Sequence, residues 1–230
     1  MPRAPVRAPQ QTRSQATLDR LCAAAAELLE ERHWHEISVA EIATRANSSV
    51  GSFYARFVDK DALLDYLDER YAESVIQMTA NLAEEVRTSD PTLEELVPLL
   101  VGTLVDFHRA RPGLIRALVM RARLFREPAY DERTMRMNEA ALGLLELLEE
   151  RVPFSGGGRR CFLAFSFMFS ALRDRVLFSE SVMDPDPAAA TEELTRELSR
   201  AMLAYLTAPL PESWPEGPSG RRARNPGDTE

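Results

Sequence analysis

The chain has 230 residues, enough for a sizeable core, and its 45% hydrophobic and 28% charged residues are those of an ordinary globular protein. Its longest apolar run, Cys161 to Leu172, falls well short of the roughly 20 residues a bilayer-spanning helix needs, which excludes a membrane-spanning role. The net charge of −8 is unevenly spread: residues 1–60 hold eight Lys/Arg against seven Asp/Glu, whereas residues 61–220 hold 17 against 27. An acidic body behind a less acidic head with an Arg-bearing leader is compatible with nucleic-acid binding by the head alone. The N-terminus has basic residues but no apolar segment behind them, so no secretory signal is read and a cytoplasmic location is expected. Cys22 and Cys161 lie in apolar helical patterns and read as small buried hydrophobes rather than a disulfide.

Residues 1–13, rich in Pro, Arg and Gln, are expected to be disordered. From Ser14, the spacing of Leu18, Leu21, Cys22, Ala25, Leu28 and Leu29 predicts an amphipathic helix ending near Arg32. Ser38-Val39-Ala40-Glu41 is a capping box opening a second helix. That helix stops at Ala46-Asn47, since Asn enters the left-handed conformation at little cost. Ser48 or Ser49 then caps a third helix through Val50–Phe57, and Asp59 caps a fourth that runs to about Arg87. Five more are expected near residues 92–110, 114–126, 130–151, 158–180 and 188–207, separated by Pro- and Gly-bearing breaks. Residues 209–230, with five Pro and three Gly, read as a disordered tail. The fold class is all-α with about nine helices, divided into a head at 14–60 and a body at 61–208.

Three short capped helices within residues 38–60, with few residues between the second and third, have helix-turn-helix spacing. Phe53 and Phe57 point one way, which leaves Ser49, Val50, Ser52, Tyr54 and Arg56 on an outer face with hardly any net charge. Gly51 in that helix costs about 1 kcal/mol relative to Ala. Close approach of the backbone to a phosphate is one explanation, and an incidental Gly in a surface helix is another. These residues, with Asp59-Lys60-Asp61-Ala62-Leu63-Leu64 behind them, resemble the DNA-binding domain of TetR-type repressors over roughly residues 14–65. The resemblance implies that Ser38, Ser49, Ser52, Tyr54 and Lys60 hold phosphates or reach bases and that Val50 contacts bases; Arg56 is expected to add a phosphate contact, and Ser48 is counted with the DNA-binding residues. Arg13 of the leader reads either as a minor-groove contact or as a solvated tail residue. Three positions depart from the family pattern: Asn47 replaces a turn glycine, Ser48 a buried Val or Ile, and Arg56 a His or Tyr.

In the body, Cys161–Leu172 is apolar almost all round, so its helix is expected to face both its own core and a second subunit. The resemblance implies a homodimer through the helices near 158–180 and 188–207, double-stranded DNA with a palindromic operator as partner, and release by a small apolar or amphipathic effector. Phe107, His108, Met120, Phe125, Met135, Phe165 and Met168 are the candidate effector contacts, with ordinary core packing as the alternative. No catalytic residue, cofactor or metal site is read: His33 and His35 flank Trp34 with no third ligand nearby. The rival reading is an all-α dimeric ligand- or protein-binding module that has lost DNA binding; an all-α enzyme has only His108 and acidic residues in its favour.

Overall fold

The computed structural model describes residues 10–124, 128–153, 157–178 and 187–209, and contains nine α-helices and one 3₁₀ turn among them, with no strand. The head comprises α1 (Gln10–Glu31), the 3₁₀ turn Trp34–Glu36, α2 (Val39–Arg45) and α3 (Val50–Tyr54). The body follows as α4 (Lys60–Ser89), α5 (Leu93–Arg109), α6 (Pro112–Leu124), α7 (Pro128–Glu149), α8 (Gly158–Phe178) and α9 (Pro187–Thr207). No described helix is long and apolar enough to cross a membrane.

The local signals in the sequence account for these elements. Ser38 Oγ accepts from the Glu41 amide at 3.2 Å while Glu41 Oε2 accepts from the Ser38 amide at 2.8 Å, the reciprocal pair of a capping box. Asn47 adopts φ 47°, the Asn47 amide donates to the Thr44 carbonyl and the Ser48 amide to that of Ala43, so α2 ends in a complete Schellman motif. Of the two serines considered for capping α3, Ser49 does so, accepting from the Ser52 amide at 3.0 Å. Asp59 caps α4 through the Ala62 amide at 2.8 Å.

Boundaries of α4 to α9 fall within two residues of expectation, and three differences have local causes. The first helix starts at Gln10 instead of Ser14: Gln and Thr are tolerated in a helix, so the polar lead-in continues the coil that the apolar stripe nucleates. Residues 1–9 of the expected leader and 210–230 of the tail lie outside the described residues, as do the side chain of Arg13 and all of Phe125. The third helix ends at Tyr54 rather than Phe57, because the Arg56 amide shifts to the Phe53 carbonyl in a tighter 3₁₀ turn. Finally, α6 absorbs the Pro112-Gly113 break, since Pro at a first helical position lacks only an N–H that the helix would leave unpaired.

Two apolar cores organise the chain. In the head, Leu21, Ala25, Leu28 and Leu29 of α1 enclose Ile42, Phe53 and Phe57, and the cluster continues through Leu63, Leu64 and Leu67 of α4 to Leu114 and Leu118 of α6. Head and body therefore share side chains instead of being joined by a linker. The second core packs α5 against α7, α8 and α9 around Val97, Leu100, Leu104, Leu148, Cys161, Leu172 and Leu206. Cys22 and Cys161 are free thiols, one in each core, and burial pushes both up to about 11. Arg133 Nη2 of α7 meets Asp68 of α4 at 2.8 Å, both nearly buried, and Arg121 Nη2 of α6 meets Asp65 of α4 at 2.9 Å.

Candidate nucleic-acid interface

The exposed surface of α2, the turn and α3 is held from beneath. Phe53 is fully buried, with edge and tilted ring contacts to Tyr54 and Phe57 at 5.4 Å, which fixes the roll of α3 on α1. Arg20 Nε of α1 donates to the Ala46 carbonyl at 3.2 Å, pinning the end of α2. Glu41 also meets Arg32 at 2.8 Å, and its bonds to Ser38 and Arg32 hold its carboxyl down to about 2.

What remains outward matches part of the sequence expectation. Val50 is 41% and Tyr54 55% exposed, and an added Cβ at Gly51 would meet only Ser49 Oγ, at 3.8 Å. Ser38 lies at the start of α2, and Ser49 and Ser52 at the start of α3 with their Oγ atoms 2.9 Å apart; Ser48, adjacent to Ser49 in sequence, is half-buried. Two of the basic candidates are engaged within the chain. Arg56 turns back along α3, donating to the Ser52 carbonyl at 2.8 Å and to the Ser14 carbonyl at 3.2 Å. Lys60 Nζ donates to the carbonyls of Trp34 and Ile37, each at 2.7 Å, and lies 4.9 Å from the Trp34 ring centroid; burial pulls its ammonium below the usual lysine range. Thr44 and Arg45 are exposed on α2 next to the turn, a pair the sequence reading passed over. Arg45 carries a bidentate pair with Glu31 at 2.9 and 3.1 Å. Their exposure follows from which face of α2 packs on α1, with Ile42 and Ala43 buried, and no local pattern marks it.

The effector candidates are only partly gathered. Phe107, His108 and Phe165 belong to one aromatic chain, completed by Tyr71 and Phe169: Tyr71–Phe107 at 5.8 Å, Phe107–His108 at 5.9 Å, His108–Phe169 at 5.3 Å and Phe165–Phe169 at 5.9 Å. His108 is buried, its Nδ1 lies 2.7 Å from the Leu104 carbonyl, and desolvation lowers its pKa, so the neutral ring donates from Nδ1. Met168 is a buried member of the body core, Met135 is exposed on α7, and Met120 lies away at the head–body joint. Phe169 lies within the apolar run Cys161–Leu172; that Tyr71 comes to meet the group depends on how α4 crosses the body.

A capped tri-helical head presenting a short third helix, joined to an all-helical body, is the architecture of helix-turn-helix transcription regulators. Residues 21–67 match the family model of bacterial regulatory proteins, tetR family. No curated protein matches the sequence. A Mesorhizobium loti protein classed as a TetR-family transcriptional regulator shares the fold with a TM-score of 0.63 at 19% identity, over 85% of this chain and 99% of that one. A transcriptional regulator from Aquifex aeolicus aligns with a TM-score of 0.56 at 20% identity, over 81% and 98% of the two chains. The fatty acid degradation regulator FadR from Bacillus halodurans aligns at 0.50 and 21% identity, over 79% and 93%. The head thus matches the tetR-family model over residues 21–67, and over 85% of its length the chain shares the fold of a solved TetR-family regulator.

Proposed function

We propose that the chain is a cytoplasmic, homodimeric, sequence-specific DNA-binding regulator, a repressor that leaves a palindromic operator when a small apolar or amphipathic effector enters the body. The observation that carries the reading is the outer face of α3. Val50 and Tyr54 are exposed, among the described residues only Ser49 Oγ stands within 4 Å of where a Gly51 Cβ would lie, and the helix is fixed by Ser49 and Phe53. Such a face suits the major groove, with Val50 and Tyr54 against base edges and Ser38, Ser48, Ser49 and Ser52 against phosphates. Lys60 and Arg56 keep N–H groups beyond those bonded inside the chain, and electrostatic attraction to phosphate is additive with those bonds. Residues 14–60 form the reading head, and residues 61–208 the effector and dimer unit.

Dimerisation is supported by Phe162 and Phe167 of α8, which are 55% and 60% exposed, and by Tyr205 of α9, in edge contact with Phe167 at 5.9 Å. Large apolar side chains at these levels on adjoining helices form a surface that a second copy would cover. The effector is assigned to the aromatic chain from Tyr71 to Phe165, whose neutral His108 leaves Nε2 as an acceptor.

Selection of bound duplexes from a random pool tests the reading directly. A two-fold-symmetric motif with half-sites about one helical turn apart is expected; recovery of unenriched sequence would overturn DNA recognition and favour the non-DNA module. On the selected duplex, Val50→Glu should abolish binding and Tyr54→Phe weaken it, whereas Lys60→Ala is a poor test because it also releases the Trp34 and Ile37 carbonyls.

A further inference from the structure

At the joint of head and body lies a cavity of about 640 Å³, walled by the end of α1, the Trp34–Glu36 turn, the start of α4 and one side of α6. Its volume lies within the range of small-molecule sites, roughly 300–1,000 Å³. It is separate from the aromatic chain inside the body: of the effector candidates among the described residues, Met120 alone lines it. We propose that it is a second ligand site, for an amphipathic organic anion with a flat or acyl apolar body and one carboxylate or sulfonate.

The walls divide by chemistry. Leu29 and Leu64, both buried, form an apolar floor, and Trp34, Ala117 and Met120 extend it upward. The indole is held in place, because Trp34 Nε1 donates to Asp61 Oδ1 at 2.9 Å and the Lys60 ammonium lies over the ring at 4.9 Å. A clamped aromatic wall offers stacking area that is ordered before the ligand arrives. The remaining lining is mainly cationic: among the described residues, Arg32, Arg116 and Arg121 stand against one lining carboxylate, Asp61, which is already engaged by the indole. The acidic partners of Arg32 and Arg121, Glu41 and Asp65, are not among the lining residues. Exposed ion pairs of the Arg32–Glu41 kind are worth under about 1 kcal/mol, so a guanidinium can take a ligand carboxylate with little loss. Guanidinium forks match carboxylate and sulfonate oxygens better than they match a neutral polar group.

The cavity also keeps its shape without a ligand. An added Cβ at Gly113 would stand 2.1 Å from the Leu29 carbonyl oxygen, so α6 meets α1 backbone to backbone, and the Gly113 amide donates to Glu30 Oε2 at 2.9 Å. The opening therefore cannot be closed by sliding α6 further inward. His33 and His35, stacked at 5.8 Å, stand among the lining residues on the same loop as Trp34.

The site stands whether or not the head binds DNA, and its test uses no DNA. The full chain carrying Trp214→Phe keeps Trp34 as its single tryptophan. Titration with 8-anilinonaphthalene-1-sulfonate should then quench Trp34 emission by energy transfer, saturating at one probe per chain. Its uncharged parent, N-phenyl-1-naphthylamine, should bind at least tenfold more weakly. Met120→Glu changes a side chain that is half-exposed, so the fold survives it, and it should weaken the anionic probe at least tenfold, several-fold more than it weakens the neutral one. Arg116→Met should act in the same direction. The proposal is overturned if the two probes bind alike, if Trp34 emission does not respond, or if Met120→Glu leaves sulfonate binding unchanged.

Discussion

Glu41 shows how one side chain is given several tasks. Its carboxylate closes the capping box on Ser38 and pairs with Arg32, and these bonds hold its pKa at about 2 instead of 4.5. A carboxyl depressed by folding stabilises the fold above its unfolded value and loses that contribution as pH falls from about 4.5 toward 2. Thermal unfolding of Glu41→Gln should therefore show a shallower decline than wild type across that window, and parallel acid limbs would contradict the assignment. His108 follows the same sign for a different reason. Burial lowers its pKa, so the folded body holds the neutral ring and loses stability as pH falls below about 6.5. In His108→Gln the midpoint should become less sensitive to pH between about 7 and 5, read by calorimetry. Arg56 and Lys60 teach the opposite lesson about basic residues near a reading helix. A residue type that suits phosphate also suits a backbone carbonyl, and tertiary proximity decides which it meets first.

Among the elements, the turn between α2 and α3 carries two of the three departures from the TetR-type pattern, Asn47 and Ser48, and its geometry is complete despite them. Asn47 takes the left-handed position and both Schellman bonds form. Asn47→Gly should hold or slightly raise stability, whereas Asn47→Ala should lower it by about 1 kcal/mol, because a Cβ without a local hydrogen-bonding group is disfavoured there. Urea midpoints of the two variants separate these outcomes. The α1–α6 crossing depends on Gly113 in another way. Gly113→Ala would drive a methyl into the Leu29 carbonyl, forcing the helices apart at a cost of roughly 1–3 kcal/mol, visible as a lowered melting temperature. Sequence alone marked Pro112-Gly113 as a break between helices. In the fold it is the first turn of α6, and the glycine is needed for a contact 84 residues back along the chain.

For the molecule as a whole, the two cores are not independent, since Leu63, Leu64 and Leu67 of α4 and Leu114 and Leu118 of α6 complete the core of the head. A change in the body at either helix is therefore felt by α1, and through it by α2 and α3. Proposed dimerisation through α8 and α9 gives the last prediction: Phe167→Glu should convert a dimer to a monomer in sedimentation equilibrium with little change in helicity. Both forms sedimenting alike would place the subunit contact elsewhere. If the dimer presents two heads, that variant should also lose most of its affinity for a symmetric duplex, and wild-type affinity should fall steeply with salt.

The sequence by itself determined the helices, their caps, the turn and the inward direction of Phe53 and Phe57, because these rest on interactions within about five residues and on a 3.6-residue apolar period. It also located the outward face of α3, since Ser49, Val50, Gly51, Ser52 and Tyr54 are contiguous. Only the tertiary structure decided that Arg56 and Lys60 turn onto carbonyls, that Tyr71 and Phe169 join Phe107 and His108, and that Met120 lines a joint cavity instead of the body interior. These facts depend on where α1, α4, α6 and α8 cross. Crossing geometry is set by packing between residues tens of positions apart, which no local pattern encodes.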